Sequence, residues 1–186
     1  MVQKKIISHL VNTKTISKEE EDLYLYALKL LSRSIINLIT VIAIGLLLNM
    51  VKESIIFFMS FFVLRKFVGG LHAETYIACF CSSTILFALG LVIVKYAKYI
   101  PLGIWVLMSF VSILLIVLYS PIEHPNKKFN SKEFDVYRKI SIFISVTITL
   151  ISFVCIFNSE ISVGYSFLAG QFLVTILMIC GKIKYK

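Results

Sequence analysis

The chain has 186 residues, of which 59% are hydrophobic and 16% charged, with a mean hydropathy of +0.91. A soluble domain of this length is rarely so apolar, so the composition predicts an all-α, polytopic integral membrane protein. The net charge of +9 is typical of basic membrane loops that contact a lipid bilayer, and it does not indicate a nucleic-acid partner. The four cysteines lie in apolar runs without zinc-type or disulfide spacing, which predicts free thiols.

The chain begins with a segment that is expected to lie on the membrane surface. Residues 1–16 combine one apolar helical face with several lysines, a pattern typical of a basic amphipathic segment. Ser17-Lys18-Glu19-Glu20 is a capping box, so a helix should begin there and continue to about residue 50. Such a helix is about 50 Å long and the hydrocarbon core is about 30 Å thick, so its first half should protrude.

The middle and the end of the chain contain further apolar runs. Residues 55–64 are too few to cross a membrane unaided, because a crossing needs about 20 residues, so this run is re-entrant or tilted, or continues into the next residues. Residues 120–139 form a basic hydrophilic loop, in which Asn130 and Glu133 predict a second capping box. We therefore predict about six membrane segments, one of them short or re-entrant, in a single integral membrane domain over 1–186. The better spans are 76–94, 99–119, 140–157 and 161–181.

The distribution of basic residues predicts an orientation. If both termini, the stretch near residue 65 and the 120–139 loop are cytoplasmic, 16 of the 19 Lys and Arg residues lie inside. The positive-inside rule strongly favours that arrangement.

The stretch from Arg65 to Cys79 holds paired glycines, a histidine, a carboxylate and a thiol between apolar runs. Ionisable groups at membrane depth are costly and are therefore functional candidates. His72 and Cys79 are a base and a nucleophile for thiol catalysis. The plainer interpretation is a polar connector in which Cys79 only fills apolar space.

The spacing of this pair constrains the backbone. On one α-helix, His72 and Cys79 would be about 10.5 Å apart along the axis, far beyond the roughly 3 Å of a hydrogen bond. Residues 65–75 are therefore predicted to be irregular, with the glycines permitting the break, and a helix should start near Thr75. Cys79 then lies in the first turn or just beyond it, where a helix N-terminus favours a thiolate. Cys81 points to another face.

Glu74 has two interpretations, since it either orients His72 or is an interfacial carboxylate paired with Arg65 or Lys66.

Two motifs resemble those of a known family. The first is Arg65-x4-Gly70-x-His72-Ala73-x5-Cys79 and the second is Ser120-Pro121-x3-Pro125-Asn126-Lys127-Lys128. Both are similar to signatures of the accessory gene regulator protein B family, integral-membrane cysteine peptidases of Gram-positive bacteria that process quorum-sensing propeptides. The resemblance covers essentially the whole chain. Lys128 departs from it, because many relatives have proline after the first lysine.

The resemblance implies an activity with named residues. Cys79 would attack a propeptide near its C-terminus and His72 would act as base, with Arg65, Gly70 and Glu74 in support. The resulting thioester would be resolved by an internal Cys or Ser of the propeptide, giving a thiolactone or lactone autoinducing peptide.

The resemblance also implies the partners and the location. The propeptide would carry an amphipathic helix and an acidic tail, and Lys127 and Lys128 would contact that tail. The enzyme would be a homodimer in the bacterial plasma membrane, with its active site on the cytoplasmic side and without metal or other cofactor.

Two other functions compete with this one. A small transporter or scaffold subunit without peptidase activity would also be apolar, but the predicted spans contain almost no ionisable groups and show no repeat. A membrane metallopeptidase would need to assemble His72, Glu74, Glu123 and His124, and the chain has no HExxH spacing.

Overall fold

The structure is a computed structural model, and it describes residues 2–13, 15–71, 75–123 and 130–185. This part of the chain contains α-helices and short 3-10 turns and no β-strand, which confirms the predicted all-α class. The helices are α1 (Val2–Asn12), α2 (Glu21–Leu48), α3 (Val51–Val68), α4 (Tyr76–Tyr96), α5 (Leu102–Tyr119), α6 (Ser131–Phe157) and α7 (Ile161–Lys184).

Five of these helices, α2, α4, α5, α6 and α7, are long and apolar enough to cross a membrane. Their length and composition indicate a multi-pass membrane protein. Helix α3 has 18 residues and is also apolar in its middle, but it carries Lys52 and Glu53 at one end and Arg65 and Lys66 at the other.

The course of α3 corrects one prediction. The chain is helical without a break from Val51 to Val68, so the irregular segment does not begin at Arg65. No residue between Arg65 and Val68 opposes a helix, and Gly69 is the first to adopt a positive φ, 74°. The break that the sequence predicted is present, but it begins at Gly69.

Helix α6 begins at Ser131, directly after the predicted capping-box residue Asn130, so residues 131–139 of the predicted loop are its first turns. The cause is the predicted capping box, in which the Asn130 backbone N–H donates to Glu133 Oε2 at 3.1 Å. The other capping box has the same geometry, since the Ser17 N–H donates to Glu20 Oε2 at 3.1 Å.

The chain divides into two compact units, Met1–Thr40 and Val41–Lys186. In the first unit, Ile7 of α1 is buried and Ile6 is exposed. In the second unit, α7 is the most buried of the helices that could span a membrane. It contacts α3, α4, α5 and α6, and is therefore the centre of that bundle.

Small residues bring the helices of the second unit into close contact. A Cβ atom at Gly170 of α7 would collide with Ser60 Oγ and would lie 2.9 Å from the Phe57 carbonyl oxygen of α3. On the α6 side, Ser152 Oγ donates to the Gly164 carbonyl at 2.7 Å. Close backbone approach and hydrogen bonds between helices are the main associations available among helices in lipid.

The helices of the second unit place five helix termini at one end of the bundle. The C-termini of α3, α5 and α7 lie there with the N-termini of α4 and α6. At the opposite end, Lys52 Nζ forms a salt bridge of 2.8 Å with Glu160. We call the first of these the five-terminus end.

The close approach of α3 and α7 gives a test of the fold. Gly170→Ala should lower the thermal midpoint of the protein in detergent, because overpacking a tight contact costs about 1–3 kcal/mol. Gly103→Ala is the matched control, since no described atom lies within 4 Å of a Cβ at Gly103. That variant should leave the midpoint unchanged or raise it, because alanine favours a helix over glycine. Equal midpoints for the two variants would contradict the close approach.

Candidate active site

Two glycines turn the chain where α3 ends. Gly69 and Gly70 have φ values of 74° and 125°, which other residues rarely adopt. The Gly69 N–H still donates to the Arg65 carbonyl at 3.1 Å and closes the helix. At Gly70 a Cβ would lie against the Arg65 guanidinium and 2.7 Å from the Leu177 carbonyl oxygen. Gly70, predicted as a supporting residue, therefore occupies a position with no space for a side chain.

The Arg65 side chain fastens this turn. It is half-buried, Nη1 donates to the Gly69 carbonyl at 2.7 Å, and Nη2 donates to the Leu71 carbonyl. A planar guanidinium can donate to two acceptors at once, which the point charge of lysine cannot do with the same geometry. Arg65, also predicted as supporting, thus fixes the backbone of residues 69–71, which leads directly into His72.

The rest of the protein holds the same turn from two sides. The Leu71 N–H donates to the Leu177 carbonyl of α7 at 2.9 Å, and the Ile122 N–H donates to the Val68 carbonyl at 2.9 Å. Gly69 and Ile122 form an isolated parallel β-bridge. On α7, a Cβ at Gly181 would lie 2.5 Å from the Leu71 nitrogen. We call residues 69–71 with these contacts the clamped turn.

Sequence reasoning missed the partners of the clamped turn on α7 and after α5. A backbone carbonyl such as that of Leu177 gives no signal in a sequence, and neither does the amide of Ile122. Gly181 offered a weak signal, because glycine near the end of an apolar helix often marks close backbone contact.

Cys79 lies where the sequence predicted, at the end of the first turn of the next helix. Thr75 is the N-cap of α4, and its Oγ1 accepts from the Ala78 N–H at 3.3 Å. The Cys79 N–H donates to the Thr75 carbonyl at 3.0 Å. Cys79 is half-buried and Cys81 is exposed, and both are free thiols.

The Arg65 guanidinium links the clamped turn to the thiol. Cys79 and Tyr185 both interact electrostatically with it. The positive end of α4 and the guanidinium both attract negative charge at the Cys79 sulfur. The structure thus brings Arg65, Gly70 and Cys79 together at the five-terminus end of the bundle.

Four of the predicted site residues, His72, Glu74, Lys127 and Lys128, lie outside the described residues. The pairing of His72 with Cys79 and the contact of the two lysines with substrate therefore stay predictions. The described part of the chain contains no cluster of three His, Cys, Asp or Glu side chains that could hold a metal ion. Three of the four groups considered for a metallopeptidase, His72, Glu74 and His124, also fall outside that part.

Comparison with known proteins assigns the family. The family profile described as Accessory gene regulator B matches residues 3–179. The chain belongs to the accessory gene regulator B family. Membership supports a role in the accessory gene regulator quorum-sensing system, and the family is known in general terms for propeptide processing.

Accessory gene regulator B relatives include a protein of Clostridium perfringens (strain SM101 / Type A) named as AgrB-like. It is 34% identical over 76 residues, which make up 40% of this chain and 36% of that relative, about a third of its length. No solved structure matches the chain.

The role of Arg65 can be tested by hydrogen exchange. Arg65→Met removes both donors but keeps an unbranched stem, so the amides of residues 69–71 should exchange about tenfold faster or more, as expected for loss of hydrogen bonds from a charged group. Mass spectrometry of the protein in detergent measures this. Arg138→Met is the matched control, because Arg138 donates to the Val117 carbonyl at the same end at 2.9 Å. Equal exchange at 69–71 in both variants would refute the clamp.

Proposed function

We propose that the protein is a membrane-embedded cysteine endopeptidase that cleaves a quorum-sensing propeptide near its C-terminus. Cys79 is the nucleophile and His72 the base. The observation that carries the proposal is the position of Cys79, at the end of the first turn of α4 and within electrostatic range of the Arg65 guanidinium. Arg65 in turn holds the carbonyls of Gly69 and Leu71, the residue before His72.

The first chemical step forms a thioester. His72 takes the proton from Cys79, and the sulfur attacks the carbonyl carbon of the scissile peptide bond. The carbon–nitrogen bond then breaks, and His72 returns the proton to the leaving amine. The C-terminal fragment departs, and the remaining propeptide stays bound to Cys79 through a thioester.

The second step closes the ring. An internal Cys or Ser of the propeptide attacks the thioester carbon, its proton passes through His72 to the Cys79 sulfur, and the carbon–sulfur bond to Cys79 breaks. The product is a cyclic thiolactone or lactone. A thioester stays reactive enough for this exchange, whereas a free carboxylate does not cyclise. A site at an apolar boundary favours the internal nucleophile by limiting access of water.

The charge of the five-terminus end suits an acidic substrate segment. The described helices place seven basic residues there: Arg65, Lys66, Lys132, Arg138, Lys139, Lys182 and Lys184. Lys127 and Lys128 extend this set, and together they would attract an acidic propeptide tail. The distribution of 16 among 19 basic residues supports a cytoplasmic position for this end.

The proposal includes the setting of the enzyme. It acts in the bacterial plasma membrane on a propeptide whose amphipathic helix lies on the bilayer, and it forms a homodimer, as the family resemblance implies. The chemistry needs no metal ion and no cofactor, because thiol, imidazole and the propeptide's own nucleophile supply every bond that is made.

Substitution of the pair tests the chemistry. Cys79→Ser should abolish cleavage of a propeptide by the purified enzyme in vesicles, and no thioester adduct should form. His72→Ala should reduce the rate by a factor of about a hundred or more, as expected for loss of a general base. Mass spectrometry of the propeptide and of the enzyme measures both.

Cys81→Ser is the matched control and should retain most activity, because this exposed thiol lies two residues further along the same helix. Full cleavage by Cys79→Ser would refute the nucleophile. Inhibition of the wild-type enzyme by chelators, reversed by zinc, would replace the cysteine mechanism by a metallopeptidase. Cleavage by none of the proteins would favour a transporter or scaffold.

The role of the basic loop after α5 in attracting substrate can be tested through KM and its dependence on ionic strength. Lys127→Gln combined with Lys128→Gln should raise KM for a propeptide with an acidic tail and leave kcat nearly unchanged. The wild-type KM should rise with ionic strength, because exposed charges are screened. Lys95→Gln with Lys98→Gln, near the opposite ends of α4 and α5, is the control. A loss confined to kcat would contradict recruitment by this loop.

A further inference from the structure

An open groove lies on the lateral surface of the second unit, between α3 and α6, with α7 at its floor. Its volume is about 300 Å³. Helix α6 is one of the helices that could cross a membrane, and a groove on its exposed side would then open to lipid. The side chains that define it are Met59 and Val63 from α3, Phe143 and Thr147 from α6, and Phe167 from α7.

The lining of this groove is apolar in practice. Its hydroxyls are used within their own helices, since Ser60 Oγ donates to the Phe57 carbonyl at 2.9 Å and Thr147 Oγ1 to the Phe143 carbonyl at 2.8 Å. Met59 and Phe143 are 49% and 72% exposed. The groove therefore offers only van der Waals contact to an occupant.

Two lysines stand above the groove at the five-terminus end. Lys66 follows Val63 by three residues and Lys139 precedes Phe143 by four, so each lies on the face of its helix that lines the groove. The rings of Phe67 and Tyr137, with centroids 5.7 Å apart, hold the two helices together at this level.

Both lysines are exposed, and among the residues that the structure describes neither forms a salt bridge. Arg138 differs, because it turns to the Val117 carbonyl of α5. Lys66 Nζ lies 5.5 Å from the centroid of the Phe67 ring, a contact that uses none of its three N–H donors, so both ammonium groups can donate to an anionic group.

The depth and size of the groove decide between occupants. From Lys139 to Thr147 the helix rises about 12 Å, so the groove extends from the level of the lysines into acyl-chain depth. One turn of helix with its side chains occupies about 400 Å³ or more, which exceeds the volume of the groove. A single acyl chain needs no such width. Its phosphate would then lie level with the two lysines.

We infer that this groove binds one anionic phospholipid, with an acyl chain against Met59, Val63 and Phe143 and the phosphate between Lys66 and Lys139. A zwitterionic headgroup would bind more weakly, because the lysines repel its own positively charged group. Each basic residue near an anionic lipid surface contributes a factor of about 5.5, so two give a preference of about thirtyfold for anionic over zwitterionic lipid. The inference does not depend on the proposed peptidase activity.

Native mass spectrometry of the full-length protein, released from detergent with added lipid, tests the site. Phosphatidylglycerol should be retained at one equivalent with about thirtyfold preference over phosphatidylcholine. Lys66→Gln with Lys139→Gln should abolish the preference. Lys95→Gln with Lys98→Gln removes two exposed lysines elsewhere and should not change it. If both double variants lost the preference for phosphatidylglycerol equally, the lipid would be held by nonspecific charge attraction and not at this groove.

A groove-filling variant tests the acyl chain separately. Thr147→Phe leaves every charge in place and should reduce retention of phosphatidylglycerol at least tenfold. Glycerol 3-phosphate, which has the headgroup phosphate without an acyl chain, should neither bind nor compete. Competition by glycerol 3-phosphate would contradict lipid binding and indicate a site for a free phosphate. Conversion of a dimer to a monomer by Thr147→Phe in the same spectra would instead indicate that a second copy of the chain occupies the groove.

Discussion

A backbone that leaves a helix next to lipid must find its hydrogen-bond partners within the protein. The clamped turn meets this constraint through hydrogen bonds to three other parts of the second unit. Arg65 supplies donors to two carbonyls, α7 supplies an acceptor to the Leu71 amide, and the segment after α5 supplies the Ile122 amide. The same hydrogen bonds that satisfy the backbone of the turn also fix Leu71, which precedes His72 in the sequence.

This arrangement restricts the sequence of α7. The helix can carry no side chain where it meets α3 or where it meets the clamped turn, and a glycine stands at each of these positions. A core helix that is buried on several sides is a stiff support, because its side chains already contact α3, α4, α5 and α6. The candidate nucleophile is carried on α4, so the site depends on how α3 and α4 are held against one common helix.

Local signals in the sequence predicted local structure well. The two capping boxes, the helix start at Thr75 and the position of Cys79 in the first turn all follow from residues within four positions of each other. The predicted start of the irregular segment at Arg65 is wrong, because the short apolar run 55–64 and the spacing of His72 and Cys79 require a break before His72 but do not fix the residue where it begins. Arg65 is helical, and its charge is satisfied by carbonyls beyond the helix end. The contacts to Leu177 and Ile122 join positions far apart in the chain, and a single sequence carries no signal for such backbone contacts.

The two glycines that α7 presents, Gly170 to α3 and Gly181 to the clamped turn, are eleven residues apart. Eleven residues make slightly more than three turns of helix, so both glycines lie on one face and are about 16.5 Å apart along the axis. The spacing of the two glycines along α7 therefore sets the distance between its contact with α3 and its contact with the clamped turn. A single residue inserted between them would rotate Gly181 about the helix axis by about 100° relative to Gly170 and point a side chain at Leu71. The length of this interval is therefore set by the geometry of the helix.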